Sequence, residues 1–219
     1  MKEIRILWLY SDLLDLYGDS GNIRILQYYF NKHGFDVSVD SIGIFDQPNF
    51  DKYDFIYCGP GKLKNLISAN EHFRKHKEEF KKVVEKGIPI LFCGSAILLL
   101  GNKFRDSKGN EYEASGVFDF TATDMDQVMT ADIITECDFC DRKIYGFINR
   151  TAKIDGETAD ILRHGYHDKS LWATFLMGPL LVKNPDLLIW YFERITGIKL
   201  DMSGTLEEEA YLKTISEFE

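Results

Sequence analysis

The sequence predicts an α/β protein with an open, mostly parallel, doubly wound sheet and flanking helices. The first observation is a set of short, nearly continuous apolar runs, which are typical of strands buried on both faces. The second is that these runs alternate with segments of helical periodicity, an order that favours parallel pairing through right-handed crossovers. With 219 residues, no internal repeat and no linker, the chain is predicted to be a single domain over residues 1–219.

The first half of the chain supplies most of the predicted parallel sheet. Residues 4–9 are apolar apart from Arg5, and residues 21–33 repeat apolar side chains on one helical face. The helix at 70–86 turns its Lys and Glu residues to solvent and its Phe and Val residues inward. In order, the predicted segments are a strand at 4–9, a helix at 21–33, strands at 35–42 and 53–58, a helix at 70–86 and a strand ending at Cys93.

The second half has a different character. Residues 102–115 hold the turn sequence Asp-Ser-Lys-Gly-Asn between short polar strands, which predicts a hairpin. Asn184-Pro185 begins a helix that ends at Gly197, and its Trp190-Tyr191-Phe192 cluster favours core packing over an interface. Further strands are predicted at 131–135, 143–148 and 171–176, and a last acidic helix at 205–216.

Composition excludes several classes of function. The net charge is −9 and no basic stripe is interleaved with aromatic residues, which argues against nucleic acid as the main partner. No apolar run approaches the ~18 residues that a membrane span needs. The first three residues lead directly into a strand pattern, so we expect no signal peptide and a cytoplasmic location.

The four cysteines are Cys58, Cys93, Cys137 and Cys140, and the last two form a single CxxC. A zinc site would need two more ligands, for which His164 and His167 are the candidates. Since the spacing matches no standard zinc finger, the favoured interpretation is two reduced thiols on or beside a strand, and no metal is expected.

Cys93 lies where a buried strand gives way to a helix. The apolar run that ends at Cys93-Gly94 resumes at residues 96–100, which predicts a strand, a sharp turn and a helix. A thiol on such a turn would lie at the carboxyl edge of the sheet beside a helix N-terminus, which lowers a thiol pKa. Cys93 is therefore a candidate nucleophile. The alternative is a small buried residue at a tight turn.

Several segments together resemble class I glutamine amidotransferase domains of the cobyric acid synthase type, which have a flavodoxin-like fold. Within this family the chain is most similar to the glutaminase subunits of lipid II isoglutaminyl synthases, which amidate peptidoglycan precursors. The resemblance extends to about residue 195. The segments that carry it are the strand leading into Cys93-Gly94, residues 14–23 with Tyr17, Asp19, Gly21 and Asn22, residues 106–120, and the string Phe175-Leu176-Met177-Gly178-Pro179.

The resemblance implies a glutaminase that works through a cysteine and a histidine. The thiolate attacks the side-chain amide of L-glutamine, backbone N–H groups hold the oxyanion, and the imidazole shuttles protons. It places Cys93 at the nucleophile position and Gly59, Gly61 and Gly94 in the oxyanion and substrate loops. It implies no cofactor, and it implies a Mur-ligase-like synthetase subunit as the partner that receives the ammonia.

The resemblance breaks where this chemistry needs particular side chains. Met177 stands in place of the family histidine, and a thioether can neither accept nor donate the proton. The family continues its cysteine as Gly-Gly-Tyr-Gln, whereas this chain has Gly94-Ser95-Ala96-Ile97. Pro60 removes an N–H from the oxyanion loop, and the substrate-binding arginine falls near Val128. These losses predict a subunit with weak or no glutaminase activity.

Two alternatives remain open. One is an active glutaminase with a relocated base, His164 or His167, that supplies ammonia to the partner. The other is a cysteine-based redox or stress protein that uses the Cys93 thiol alone. The N-terminal motif also has a purely local interpretation, in which Asp19 or Ser20 caps the helix and Gly21 permits a tight turn.

Overall fold

The computed structural model describes residues 3–156 and 165–218. Its larger sheet has six strands in the order β2-β1-β3-β4-β10-β9. All neighbours pair in parallel except β9, which runs antiparallel to β10 at one edge. These strands are β1 (Glu3–Leu9), β2 (Asp36–Ile42), β3 (Phe55–Cys58), β4 (Ile90–Cys93), β9 (Tyr166–Asp168) and β10 (Leu171–Thr174).

The central strands of this sheet are the apolar runs that the sequence singles out. Every residue of β3, β4 and β10 is buried, as expected for parallel strands covered by helices on both faces. The register sets Cys93 opposite Thr174 and Cys58 opposite Phe92. The carboxyl ends of β3, β4 and β10 therefore lie side by side, and the chain leaves all three strands at one edge.

Three of the helices follow the prediction. In chain order, the helices are α1 (Gly21–Lys32), α2 (Leu63–Phe73), α3 (Lys77–Lys86), α4 (Leu180–Lys183), α5 (Pro185–Thr196) and α6 (Leu206–Phe218). Helix α4 is an addition to the predicted helices. The helix predicted at 70–86 is instead two helices separated by a 3-10 turn, Arg74–His76, and the first of them, α2, begins at Leu63. The charges explain this boundary, because basic residues follow the end of α2 and Glu78 and Glu79 occupy the first turn of α3.

A second sheet of four strands has the order β6-β5-β7-β8. Its strands are β5 (Lys103–Arg105), β6 (Glu111–Glu113), β7 (Thr121–Thr135) and β8 (Ile144–Ile154). The predicted hairpin is confirmed: the Asp106 carboxylate accepts the N–H groups of Lys108 and Asn110 in its turn. Strands β7 and β8 are longer than predicted, and Phe147 of β8 bridges to Met177, which joins this sheet to the segment after β10.

Helix α5 packs its aromatic cluster as predicted. Tyr191 and Phe192 are fully buried, and the Tyr191 hydroxyl donates to the carbonyl of Ile90 at 3.1 Å. Trp190 is partly buried and contacts the ring of Phe139. Across the described ranges, no helix combines the length and apolar character that crossing a membrane requires.

Candidate functional site

The turn after β4 is built differently from the prediction. Cys93 is the last residue of the strand, with extended backbone at φ −111° and ψ 146°. The left-handed residue of the turn is Gly94, at φ 58°. The segment that follows, Gly94–Leu100, is a 3-10 helix. The sharp turn exists as expected, but Gly94 occupies it and the cysteine lies one residue earlier.

The Cys93 thiol is fully buried under the turn. Burial raises the pKa of Cys93 well above its ordinary value, and the nearby Asp19 carboxylate raises it further. A hydrogen bond with the Tyr57 hydroxyl opposes this only in part. The expected lowering of the pKa by a helix N-terminus is therefore wrong, because desolvation of the thiolate outweighs the favourable dipole.

The described histidines are engaged elsewhere. His167, on the edge strand β9, packs against the rings of Phe139 and Trp190. His72 pairs with the Tyr10 hydroxyl and the carbonyl of Asp46, and His76 lies against its ring. His33 pairs with a carbonyl of its own helix. His164, the other candidate for a relocated base, lies outside the described residues.

The space above Gly94 is filled by the two residues that sequence comparison marks as departures. A Cβ atom at Gly94 would lie 2.7 Å from Cβ of Pro60 and 2.9 Å from Cε of Met177. Met177 is itself buried. Glycine at this position is therefore required twice, once by the positive φ and once by the close approach of Pro60 and Met177.

The loop after β3 uses its polar groups internally. The Ser95 hydroxyl accepts the N–H of Gly61 at 2.9 Å and donates to the carbonyl of the same residue at 2.9 Å. Pro60 has no N–H to offer, and its carbonyl accepts the N–H of Leu16. A Cβ at Gly61 would lie 2.2 Å from Cδ2 of Leu14, and one at Gly59 would lie 2.9 Å from the carbonyl oxygen of that leucine. Both glycines permit close packing of the loop on the segment before α1.

The N-terminal motif forms a clamp on the Met177-Gly178-Pro179 segment. The Asp19 carboxylate is fully buried; Oδ1 accepts the N–H of Gly178 at 2.8 Å, and Oδ2 accepts the Tyr57 hydroxyl at 3.0 Å. The Asn22 side chain accepts the N–H of Leu181 at 2.8 Å. Burial raises the pKa of Asp19 to about 6, although both hydrogen bonds favour the carboxylate.

The capping interpretation of Asp19 and Ser20 is wrong. No side-chain hydrogen bond caps α1. Gly21 and Tyr17 of the same motif contact residues that are distant in the chain. Gly21 lies against Pro179, where a Cβ would come within 2.8 Å of the proline Cβ. The Tyr17 hydroxyl accepts the amide of Asn149 at 3.0 Å.

A cavity of about 200 Å³ opens beside the turn. It is lined by Pro60, Gly61, Ser95 and Met177, and by three cationic side chains, those of Lys62, Arg105 and Arg150. Val128, near which the family's substrate-binding arginine falls, also lines the cavity and is 61% exposed. A valine offers no guanidinium there.

Arg150 lines the cavity but was not predicted from the sequence, because the family's substrate-binding arginine falls near Val128. Arg150 pairs in register with Met129, the neighbour of Val128, and its guanidinium lies 4.0 Å from the ring centroid of Phe175. The signal for it is the strict alternation of β8, in which Arg150 occupies a buried position.

The CxxC lies in the turn between β7 and β8. The thiols of Cys137 and Cys140 are hydrogen-bonded to each other, and neither cysteine is in a disulfide. Within residues 3–156 and 165–218, no group of three His, Cys, Asp or Glu side chains is arranged to hold a metal ion.

A sequence profile of CobB/CobQ-like glutamine amidotransferase domains matches residues 5–180. Curated relatives include the lipid II isoglutaminyl synthase (glutamine-hydrolyzing) subunit GatD of Staphylococcus aureus (strain N315), 30% identical over 89% of this chain and 85% of that protein. The subunit of the same name from Streptococcus pneumoniae (strain ATCC BAA-255 / R6) is 25% identical over 98% of this chain and 88% of that protein.

Among solved structures, a crystal structure of a glutamine amidotransferase superposes with a TM-score of 0.52 at 13% identity. The superposition covers 88% of this chain and 99% of that one. At this level of identity the likeness establishes the fold alone. It agrees with the α/β architecture predicted from the alternation of strands and helices.

Proposed function

Because this chain belongs to the CobB/CobQ-like glutamine amidotransferase family, we propose that it is the amidotransferase-type subunit of a lipid II isoglutaminyl synthase and that it hydrolyses little or no glutamine. The relatives support the first part, since both are named as glutamine-hydrolyzing subunits of that synthase. The geometry around Gly94 supports the second part.

The proposed loss of activity rests on one observation, the identity of the residue at the left-handed position of the turn. A nucleophile elbow presents its side chain from a strained, sharp turn between a strand and a helix. Here the strained position is Gly94, which has no side chain. When the family pattern Cys-Gly-Gly-Tyr-Gln is aligned on this left-handed residue, its cysteine falls on Gly94 and its glutamine on Leu98, a residue that lines the cavity.

In this alignment the site lacks both halves of the catalytic pair. Gly94 offers no sulfur to attack an amide carbon, and Met177 offers no nitrogen to take or return a proton. The loop also offers fewer N–H groups to an oxyanion, because Pro60 has no N–H and the N–H of Gly61 donates to the Ser95 hydroxyl. Loss of acid–base catalysis alone costs roughly 10²–10⁴-fold in rate.

The parts that remain suit a structural role in an assembly. The clamp of Asp19 and Asn22 keeps the segment around Met177 in place, and the cavity beside it is intact. We propose a Mur-ligase-like synthetase as the partner subunit, because the relatives are subunits of a synthase. The subunit would then support the synthetase without supplying its ammonia.

The test is glutaminase activity with and without a co-purified Mur-ligase-like partner. Glutamate release is measured for the natural chain and for Cys93→Ala, together with covalent labelling by a glutamine-mimicking electrophile. We expect no glutamate above the protein-free rate from either protein, and no label on Cys93 of the natural chain with or without the partner. Glutamate release that Cys93→Ala abolishes would overturn the proposal and favour an active glutaminase with a relocated base.

A further inference from the structure

The CxxC turn brings the thiols of Cys137 and Cys140 together. The N–H of Cys140 donates to the carbonyl of Cys137 at 3.0 Å, which closes a four-residue turn. Such a turn holds its end Cα atoms within about 7 Å, and a disulfide needs a Cα separation of about 4.4–6.8 Å. Each thiol also acts on the pKa of the other, so the two side chains lie close together.

This pair lies nearer the surface than the other two cysteines: Cys137 is 8% exposed and Cys140 more so. Cys58 and Cys93 are fully buried in the sheet. Cys137 lines a cavity of about 190 Å³ together with Phe139, His167 and Trp172, and Cys140 is partly exposed. A small oxidant can therefore reach this turn while the two strand cysteines stay covered.

The local structure distinguishes the two sulfurs. The hydrogen bond from Cys140 and the N–H of Phe139 lower the pKa of Cys137, whereas the same hydrogen bond and burial raise the pKa of Cys140. This asymmetry is the one that thiol–disulfide exchange uses, with one attacking thiolate and one resolving thiol.

The turn is held in place by Arg142. Its backbone N–H and its Nε donate to the two oxygens of Asp186, each at 2.9 Å, and its Nη1 donates to Glu208 at 2.7 Å. The guanidinium also lies 4.6 Å from the ring centroid of Tyr211. These contacts anchor the turn that carries the two thiols to α5 and α6.

We propose that Cys137 and Cys140 form a reversible disulfide by exchange with a low-molecular-weight disulfide, R–S–S–R. The Cys137 thiolate attacks one sulfur of R–S–S–R, which gives a mixed disulfide and releases R–S⁻. Cys140 then gives up its proton, and its sulfur attacks the Cys137 sulfur and expels the second R–S⁻. The protein loses two electrons and two protons, and R–S–S–R becomes two R–SH.

The experiment equilibrates the folded chain in mixtures of reduced and oxidised glutathione and then traps free thiols by alkylation under denaturing conditions. Mass spectrometry counts the alkylated sites and locates any disulfide. We expect the natural chain to lose two alkylation sites, with an internal bond between Cys137 and Cys140, while Cys58 and Cys93 remain alkylated. Added dithiol reductant should restore all four sites.

Three variants assign the roles. Cys140→Ser should accumulate the glutathione mixed disulfide on Cys137, Cys137→Ser should react much more slowly, and the double variant should not react. The proposal is overturned if the natural chain keeps four alkylated thiols in a large excess of oxidised glutathione. It is equally overturned if the natural chain accumulates only the mixed disulfide. Neither outcome depends on glutamine hydrolysis.

Discussion

The buried Asp19 carboxyl should make folding stability depend on pH in a direction unusual for a carboxylic acid. Its pKa is raised to about 6 in the folded protein, against an ordinary 3.8. The folded state therefore binds the proton more tightly than the unfolded chain. The stabilising effect is fully present below the unfolded pKa and is lost as the pH rises through about 6.

The magnitude follows from the difference between the two pKa values. A difference of about two units, at ~1.4 kcal/mol each, corresponds to a loss of ~3 kcal/mol in the free energy of unfolding between about pH 4 and pH 7. Because Asp19 is fully buried, solvent does not screen this effect on the free energy of unfolding. Among the nearby charges, Asp15 raises the Asp19 pKa and Lys183 lowers it, so the two oppose each other.

The perturbation that isolates this effect is Asp19→Asn. An asparagine keeps an oxygen for the N–H of Gly178, and the Tyr57 hydroxyl can donate to the backbone carbonyl of residue 19, which lies 3.3 Å away. The variant therefore retains the clamp but has no proton to lose. All other titrating groups are common to both proteins, so their contributions cancel in the difference.

The assay is urea unfolding of both proteins across about pH 4 to pH 8. We expect the natural chain to lose ~3 kcal/mol relative to Asp19→Asn as the pH rises, with most of the change below about pH 7. Parallel pH profiles for the two proteins would refute the reasoning. So would a difference of opposite sign, in which the natural chain gains stability relative to the variant with rising pH.

Two further predictions concern the turn after β4. Gly94→Ala should destabilise the protein more than Gly109→Ala. Both glycines have positive φ, so an alanine at either position should lower the free energy of unfolding by ~1–2 kcal/mol. Only the Cβ at Gly94 would also overlap its neighbours, which should lower it by a further ~1–3 kcal/mol. Equal losses in urea unfolding would contradict this account. Ser95→Ala should cost ~1–3 kcal/mol, because it leaves the N–H and carbonyl of Gly61 without their partner. Ser107→Ala, at an exposed serine in the hairpin turn, serves as its control, and a similar small loss in both variants would count against the role of Ser95.

Much of the fold could be predicted because its signals are local. Apolar runs identify β1, β3 and β4, and the turn chemistry of Asp106 identifies the hairpin. The division between α2 and α3 was missed because the segment keeps a helical pattern through Arg74–His76. Only the charges at that boundary mark the break.

The site could be predicted only in part. The segments that meet there, around Asp19, Pro60, Gly94 and Met177, are all visible as motifs. The partners within them are not: Asp19 binds Gly178, 159 positions later, where a local rule predicted a helix cap. Arg150 enters the same cavity as Val128 because β7 and β8 pair in register, and register is a property of the assembled sheet.

The sequence by itself determined the fold class, the family and the absence of a histidine at residue 177, since each of these is written in local pattern or residue identity. Only the tertiary structure decided which residue occupies the left-handed position of the turn. The physical reason is that φ at Gly94 and burial of Cys93 depend on how β4 ends against Pro60, Met177 and Tyr57, which are distant in the chain. A shift of one residue places a glycine, and not a thiol, at the left-handed position.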